Sequence, residues 1–398
     1  MAGRPLRITF IVVLGLLVIV AAVLLIVSGI FKKAEYLEPW SKKYAAQFGD
    51  PRVQLAAHGL LAASGHNMQP WKVMLDPADP MSFELYADST RMSPAADPPA
   101  RQLMISQGTF LDYVQVAGPA LGYKVNLRLF PQGTYDESKL AESMDAKPVA
   151  EITLTPQAPQ GTPLYDALFL PDTNRGSYLP EPLTESEIRA LEQIGNENVA
   201  VRIVQDPEDL AKLGDYAMQG ASIEAGTASV AKETEDIFRP NEYTKNRYRY
   251  GFSVEGQGTT GINKHLLQGL VTLFPSLNSG KAAADRLVDS VRAGVEHTPS
   301  YALFITPDNS RESQVRSGMA YSRFILQAHR LGLVMQPLSQ VLEEYPEMAA
   351  PYRAIHKDYA SGGGTIQMLV RLGRAEKEAP LSMRRDVSEL MADTSAAR

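Results

Sequence analysis

Residues able to do chemistry are concentrated in one short stretch, Ala62-Ala63-Ser64-Gly65-His66-Asn67-Met68-Gln69-Pro70-Trp71. Ser64, Asn67 and Gln69 bring a hydroxyl and two amides, groups that both donate and accept hydrogen bonds. Such a set suits the rim of a planar, heteroatom-rich ligand. The same residues also suit a capped helix end followed by a turn, with Asn67 tolerating a left-handed backbone. Arg175 and the pair Arg384/Arg385 offer guanidinium forks, which match phosphate oxygens. Each would serve equally well in a surface ion pair. His66 fits a hydrogen-bond donor better than a general acid, and no side chain is assigned a catalytic role.

Other patterns point to less. There are 6 His and 0 Cys. Without thiols the chain has no thiolate nucleophile, disulfide scaffold or Cys-type metal site. The His residues form no His-Glu-x-x-His pattern, so no metal site is expected. Gly256-x-Gly258 and Gly362-Gly363-Gly364 lack the strand and helix context of a phosphate loop and read as turns. Arg247-Tyr248-Arg249-Tyr250 interleaves basic and aromatic residues. In a chain of net charge −6 it reads as a loop edge or lid, and no nucleic-acid partner is expected.

The elements that must position these groups begin with an apolar segment. Residues 8–31 carry no charge. An α-helix of that length reaches about 36 Å, enough for a hydrocarbon core of roughly 30 Å. The segment is longer than the apolar part of a cleaved signal, so a retained anchor in the lipid bilayer is expected. Arg4 and Arg7 precede it, and Lys32, Lys33, Lys42 and Lys43 follow. That asymmetry leans toward a single-pass protein with its soluble body on the cytoplasmic face. Tyr36 and Trp40 could anchor at the interface or begin the first soluble helix.

The remaining chain has 398 − 34 = 364 residues, with globular overall composition: 44% hydrophobic and 21% charged residues. Apolar periodicity predicts helices over 50–64, 102–121, 185–194, most of 207–237, and 310–331. Strands are predicted at 71–75, 83–86, 124–130, 150–154, 198–204, 302–306 and 365–372. Thr184-Glu185-Ser186-Glu187 has the form of a capping box. Residues 105–125 can be laid over 315–335, each a helix with an early Gly and a closing Leu-Gly before a strand. Two alike halves would follow, although any buried helix ending in Leu-Gly looks similar.

The stretch at 64–71 resembles the Ser-x-x-Asn-x-Gln-Pro-Trp element of the nitroreductase-like FMN flavoproteins. The likeness is nearest to the Acg-type branch, which resembles two nitroreductase halves fused in one chain. It continues through Asp172–Tyr178, Pro182-Leu183-Thr184, Ser317–Leu333, Gln336-Pro337-Leu338 with Glu343, Gln367–Gly373, and Arg384-Arg385, covering roughly residues 50–390. The resemblance implies an α+β fold of two pseudo-repeated halves. Each half would have a mainly antiparallel sheet and a long central helix, added here to one N-terminal transmembrane helix. The expected limits are 1–34 for the anchor, 35–160 and 161–393 for the halves, and 394–398 for a frayed tail.

It further implies FMN as cofactor, NADH or NADPH as electron donor, and a nitro compound, quinone or similar acceptor. Ser64, His66, Asn67 and Gln69 would lie near the flavin ring or its ribityl chain, and Arg175, Arg384 and Arg385 near its phosphate. The second half lacks a copy of the Ser64–Trp71 element, so one flavin site is expected. The Arg-rich segment at 174–176 keeps one Arg, and the terminal pair lacks flanking prolines. Flavin-binding relatives of the Acg type can have the site closed by their own chain. A protein that binds flavin without turnover, or a flavin-free interaction module, therefore stands as the alternative. A homodimer beyond the internal pseudo-dimer is also open.

Overall fold

The computed structural model describes residues 3–392, with backbone alone for 3–8. The tail 394–398 and the side chains of Arg4 and Arg7 lie outside the described residues. Helix α1 (Gly3–Ser28) is followed by α2 (Pro51–Gly59), β1 (Trp71–Leu75), β2 (Ser82–Ala87), α3 (Arg101–Ala120), β3 (Tyr123–Leu129), α4 (Leu140–Ala146) and β4 (Ala150–Pro156). The second run is α5 (Glu185–Glu192), β5 (Ala200–Val204), α6 (Pro207–Gly226), α7 (Ala228–Asp236), β6 (Phe238–Arg239), α8 (Glu242–Tyr248), β7 (Phe252–Ser253), α9 (Gly261–Leu273) and α10 (Gly280–Glu296). It closes with β8 (Ser300–Thr306), α11 (Arg311–Arg330), β9 (Val334–Pro337), α12 (Ala349–Tyr359) and β10 (Thr365–Gly373).

The chain forms two pseudo-repeated α+β halves. Their sheets are ordered β1-β2-β4-β3 and β5-β8-β10-β9. All pairings in them are antiparallel. Exchanging β1, β2, β3 and β4 for β5, β8, β9 and β10 turns one order into the other. The central helices α3 and α11 obey the same correspondence, with Arg101 matching Arg311 and Gly108 matching Gly318. Each ends on a Leu followed by a glycine at positive φ, Gly122 at 84° and Gly332 at 71°, the backbone that ends a helix most easily on Gly.

The halves meet where α3 crosses α11. A Cβ on Gly108 would sit 1.9 Å from the Val315 carbonyl oxygen, and one on Gly318 1.9 Å from that of Ile105. Only hydrogen fits there. Asp112 accepts from Arg323 at 2.7 Å across the crossing. Ser322 Oγ donates to the Thr109 carbonyl. The arginines at the two helix starts reach into opposite halves. Arg101 donates to the carbonyls of Gln367 and Leu342. Arg311 donates to the Pro99 carbonyl and pairs with Glu137.

The halves differ most between paired strands. Residues 76–81 join β1 to β2, whereas 205–299 join β5 to β8. That insertion receives α1. Among the described residues α1 is the helix long and apolar enough to cross a membrane, with Thr9–Ser28 unburied over its most apolar window. Its last turns dock on α9, where a Cβ on Gly269 would meet the Leu24 carbonyl oxygen at 2.2 Å. Tyr36 and Trp40 are packed into the protein. Tyr36 is 1% exposed and donates to Glu242 at 2.8 Å. Trp40 lies under the Arg384 guanidinium and donates to the Ser382 carbonyl. Beneath Tyr36, buried Lys245 pairs with Glu242 and Glu255, and Lys264 pairs with the same two carboxylates.

Replacing Gly318 by Ala should push the helices apart and cost about 3 kcal/mol or more, the upper range for overpacking a core. Gly108→Ala should behave alike. Urea unfolding of the full chain in detergent measures this, and a loss under about 0.5 kcal/mol, the range of neutral surface changes, would show that the crossing is loose.

Candidate functional site

The Ser64–Trp71 stretch is a strained turn on the seam between the halves. His66, Asn67 and Gln69 have φ of 50°, 52° and 52°, a region that non-glycine residues seldom occupy. Such strain persists where surrounding contacts over-determine it. Ser64 Oγ accepts from the Gln69 amide at 2.9 Å, and Ser106 Oγ accepts from the Gly65 amide at 3.0 Å. Trp71 is fully buried and donates to the Ser106 carbonyl at 2.7 Å. The turn is thus bolted to α3.

The side-chain amides of Asn67 and Gln69 are bonded within the chain. Asn67 Nδ2 donates to the carbonyls of Gly251 (3.3 Å) and Met383 (3.1 Å). The Gly251 amide donates back to the Asn67 carbonyl. Gln69, 0% exposed, donates to the Arg249 carbonyl at 2.9 Å and accepts from the Arg385 amide at 2.8 Å. The Arg249–Gly251 segment belongs to the long insertion and lies over the turn as a cap.

The three arginines are all engaged by groups of the protein. Arg384 is fully buried and donates to the Leu61 carbonyl (2.7 Å), to Asp172 (3.0 Å) and to Asn67 (3.2 Å). Arg385 donates to the carbonyls of Gln69 (3.1 Å) and Glu389 (2.8 Å). Arg175 donates to the Gly256 carbonyl at 3.0 Å. Burial lowers the pKa of all three guanidinium groups, with Asp172 partly offsetting this for Arg384 and Arg175, and Glu389 for Arg385.

A cavity of about 20 Å³ borders the turn, lined by Gly65, His66, Met68, Gln102 and Ser106 among others. Around His66 the structure gathers two acids that spacing in the sequence did not single out as a site. The ligand-bearing atoms of His66, Glu224 and Glu343 lie within 4.8 Å of one another. Glu224 comes from the end of α6 and Glu343 from the loop after β9, so only the tertiary fold unites them. Glu343 had entered solely as part of the family resemblance. Burial raises the Glu224 carboxyl to about 7. Burial, with the Glu224 and Asp97 charges, raises Glu343 well above the carboxylate range. Burial and the Arg175 cation lower His66 to about 4.

No family model matches the chain. Two mycobacterial proteins align with most of it. One from Mycobacterium tuberculosis, provisionally named as an NAD(P)H nitroreductase, is 26% identical over 339 residues, 83% of this chain and 88% of the relative. The acg protein of the same organism, named in the same provisional way, is 25% identical over 352 residues, 85% and 93% of the two chains. The chain is similar to nitroreductase-like proteins and has Acg-type homologues along most of its length. Solved structures superpose loosely. A nitroreductase-like family protein from Bacillus cereus gives a TM-score of 0.32 at 12% identity, covering 59% of this chain and 97% of that one. The FMN and NADPH-dependent nitroreductase NfnB from Sphigopyxis sp. strain HMH gives 0.34 at 16%, covering 58% and 98%. The assignment rests on the sequence relatives.

The cofactor implied by the resemblance at residues 64–71 is FMN. In the conformation described, the residues present do not fit it. The Asn67 and Gln69 amides and the guanidinium groups of Arg175, Arg384 and Arg385 bond protein oxygens. The adjoining cavity is about 20 Å³, against roughly 300–1,000 Å³ for an ordinary ligand site.

The buried acids set a pH signature. The folded chain holds a proton on Glu224 that the unfolded chain releases, so this group lowers stability as pH rises from about 4.5 to about 7. His66 acts oppositely between about 4 and 6.5, because the unfolded chain takes up a proton that the folded imidazole refuses. Glu224→Gln removes the first effect. Its stability relative to the unmodified chain should climb steadily over pH 4.5–7 in urea titrations. Parallel pH curves would contradict this account of the acids.

Proposed function

We propose that this chain is a membrane-anchored oxidoreductase of the nitroreductase type. It would take electrons from NADH or NADPH with FMN as cofactor and pass them to a nitro compound, quinone or similar acceptor. The observation that carries the reading is the alignment over 83% of the chain with a relative provisionally named as an NAD(P)H nitroreductase. The position of the Ser64–Trp71 turn on the seam of the halves supports it. Bound FMN would supply two-electron chemistry, and the protein would supply position and electrostatics. Entry would require both Arg249–Gly251 and Met383–Arg385 to release Asn67 and Gln69. Ser64, His66, Asn67 and Gln69 are the residues we assign to the ring and ribityl chain, with Arg175, Arg384 and Arg385 toward the phosphate.

The closed turn favours a second reading, in which the chain holds a flavin without turnover or has lost it. We assign residues 1–34 to the anchor, with 35–160 and 161–393 as the halves and an added homodimer as a possible assembly. The anchor reading rests on the exposed apolar side chains from Phe10 to Val20. A bilayer would cover them, and the Lys and Arg balance would place the soluble body at the cytoplasmic face.

Two experiments test this. The full chain, purified in detergent and incubated with FMN, should retain flavin absorption through gel filtration, and anaerobic NADH or NADPH should bleach it. Retention without bleaching by either nucleotide would sink the oxidoreductase and leave the holding protein. Loss of all colour would remove the flavin from both. Separately, alkaline carbonate washing of membranes should leave the chain in the pellet with its N-terminal segment intact. Release into the supernatant would overturn the anchor.

A further inference from the structure

The two acids beside His66 form a buried cluster with neutral hydrogen-bond donors and, among the described residues, no cation paired to either carboxyl. Glu224 and Glu343 are 6% and 3% exposed, and Oε2 of each has no hydrogen-bond partner. Glu343 Oε1 receives one long bond from Gln102, 3.3 Å. The Gln340 side chain hydrogen-bonds Glu224 and the buried Tyr345 hydroxyl faces Glu343, so what each acid lacks is a partner for its second oxygen. The nearest arginine does not supply one, since Arg101 is engaged by Gln367, Leu342 and Glu344. Buried carboxylates are ordinarily paired or coordinate a metal. His66 adds a nitrogen ligand, held neutral by its surroundings, on a backbone strained into place at φ 50°.

We infer that His66, Glu224 and Glu343 form a binding site for one divalent transition cation of the zinc or manganese class. One imidazole and two carboxylates are a recognised ligand chemistry for such ions, and the two acids neutralise a dication. The ligand atoms, now within 4.8 Å of one another, would draw together onto bonds of roughly 2.0–2.2 Å. The cavity of about 20 Å³ beside His66 has space for a water at a further coordination position. Three separate segments supply the ligands: the turn before β1, the end of α6, and the loop after β9. A bound ion would therefore tie the long insertion to both halves. The site shares His66 with the flavin reading but does not require bound flavin.

The simpler account of the same atoms is a proton shared between the two carboxyls. The two are separated by calorimetry on the full chain in detergent, stripped with EDTA and titrated with ZnCl2 and then MnCl2 in the absence of flavin. Elemental analysis of the product counts bound metal. The expected result is one Zn²⁺ or Mn²⁺ per chain, with affinity falling in both the Glu224→Gln/Glu343→Gln and the His66→Gln variants by more than the roughly 10–100-fold that loss of a group merely supporting a ligand costs. The amide variants keep side-chain shape and the uncharged state that burial favours, so they should fold, which circular dichroism checks. No uptake of either ion by the unmodified chain, or equal uptake by the double variant, would overturn the site and leave the shared proton.

Discussion

Everything else in the molecule depends on the closeness of α3 to α11. Gly108 and Gly318 lie back to back, each with a carbonyl of the other helix where a methyl group would be. Close packing of this kind leaves no slack for a side chain. It fixes the two sheets at one separation and sets the Ser64–Trp71 turn, bonded to Ser106 on α3, at the seam. Asp112 and Arg323 hold the crossing electrostatically, while Arg101 and Arg311 carry each helix's start into the opposite half. A dimer would have to bring these surfaces together by association. Here the covalent chain does so.

The symmetry is broken where function and membrane attachment are expected. One half keeps a short β1–β2 connection. The other opens the equivalent connection into residues 205–299, which supply the cap over the turn, the seat for α1 and Glu224. The Lys245–Glu242–Glu255–Lys264 network lies at the foot of α1 beside Tyr36. It balances two cations against two anions in a largely buried place, where removing one partner costs far more than the pair contributes. Attachment of the apolar helix and closure of the turn are thus built from one inserted segment.

Much of the α+β frame was legible in the sequence, for physical reasons. The central helices carry long apolar faces and Leu-Gly stops. They run 101–120 and 311–330, within a residue of the pattern reading. The capping box at Thr184 is present with both of its bonds. The strands showed by apolar runs between turns. Periodicity missed much of the insertion, where α9 leaves apolar residues such as Ile262 and Leu273 exposed. The expected helix over 207–237 breaks at Thr227 between α6 and α7. The turn at 64–71 was visible as chemistry but not as closure, since its partners at 249–251 and 383–385 are remote in sequence. The Glu224–Glu343 pair had no local signature at all.

Hydrogen exchange of the full chain in detergent, followed by mass spectrometry across low urea concentrations, tests the interlocked halves most directly. If the glycine crossing joins them into one cooperative unit, core amides of α3 and α11 should open with the same free energy and the same urea dependence. If peptides from one half exchange through a separate, cheaper opening while the other half stays protected, the crossing does not unite the fold, and the seam on which the site is built is not a fixed structure.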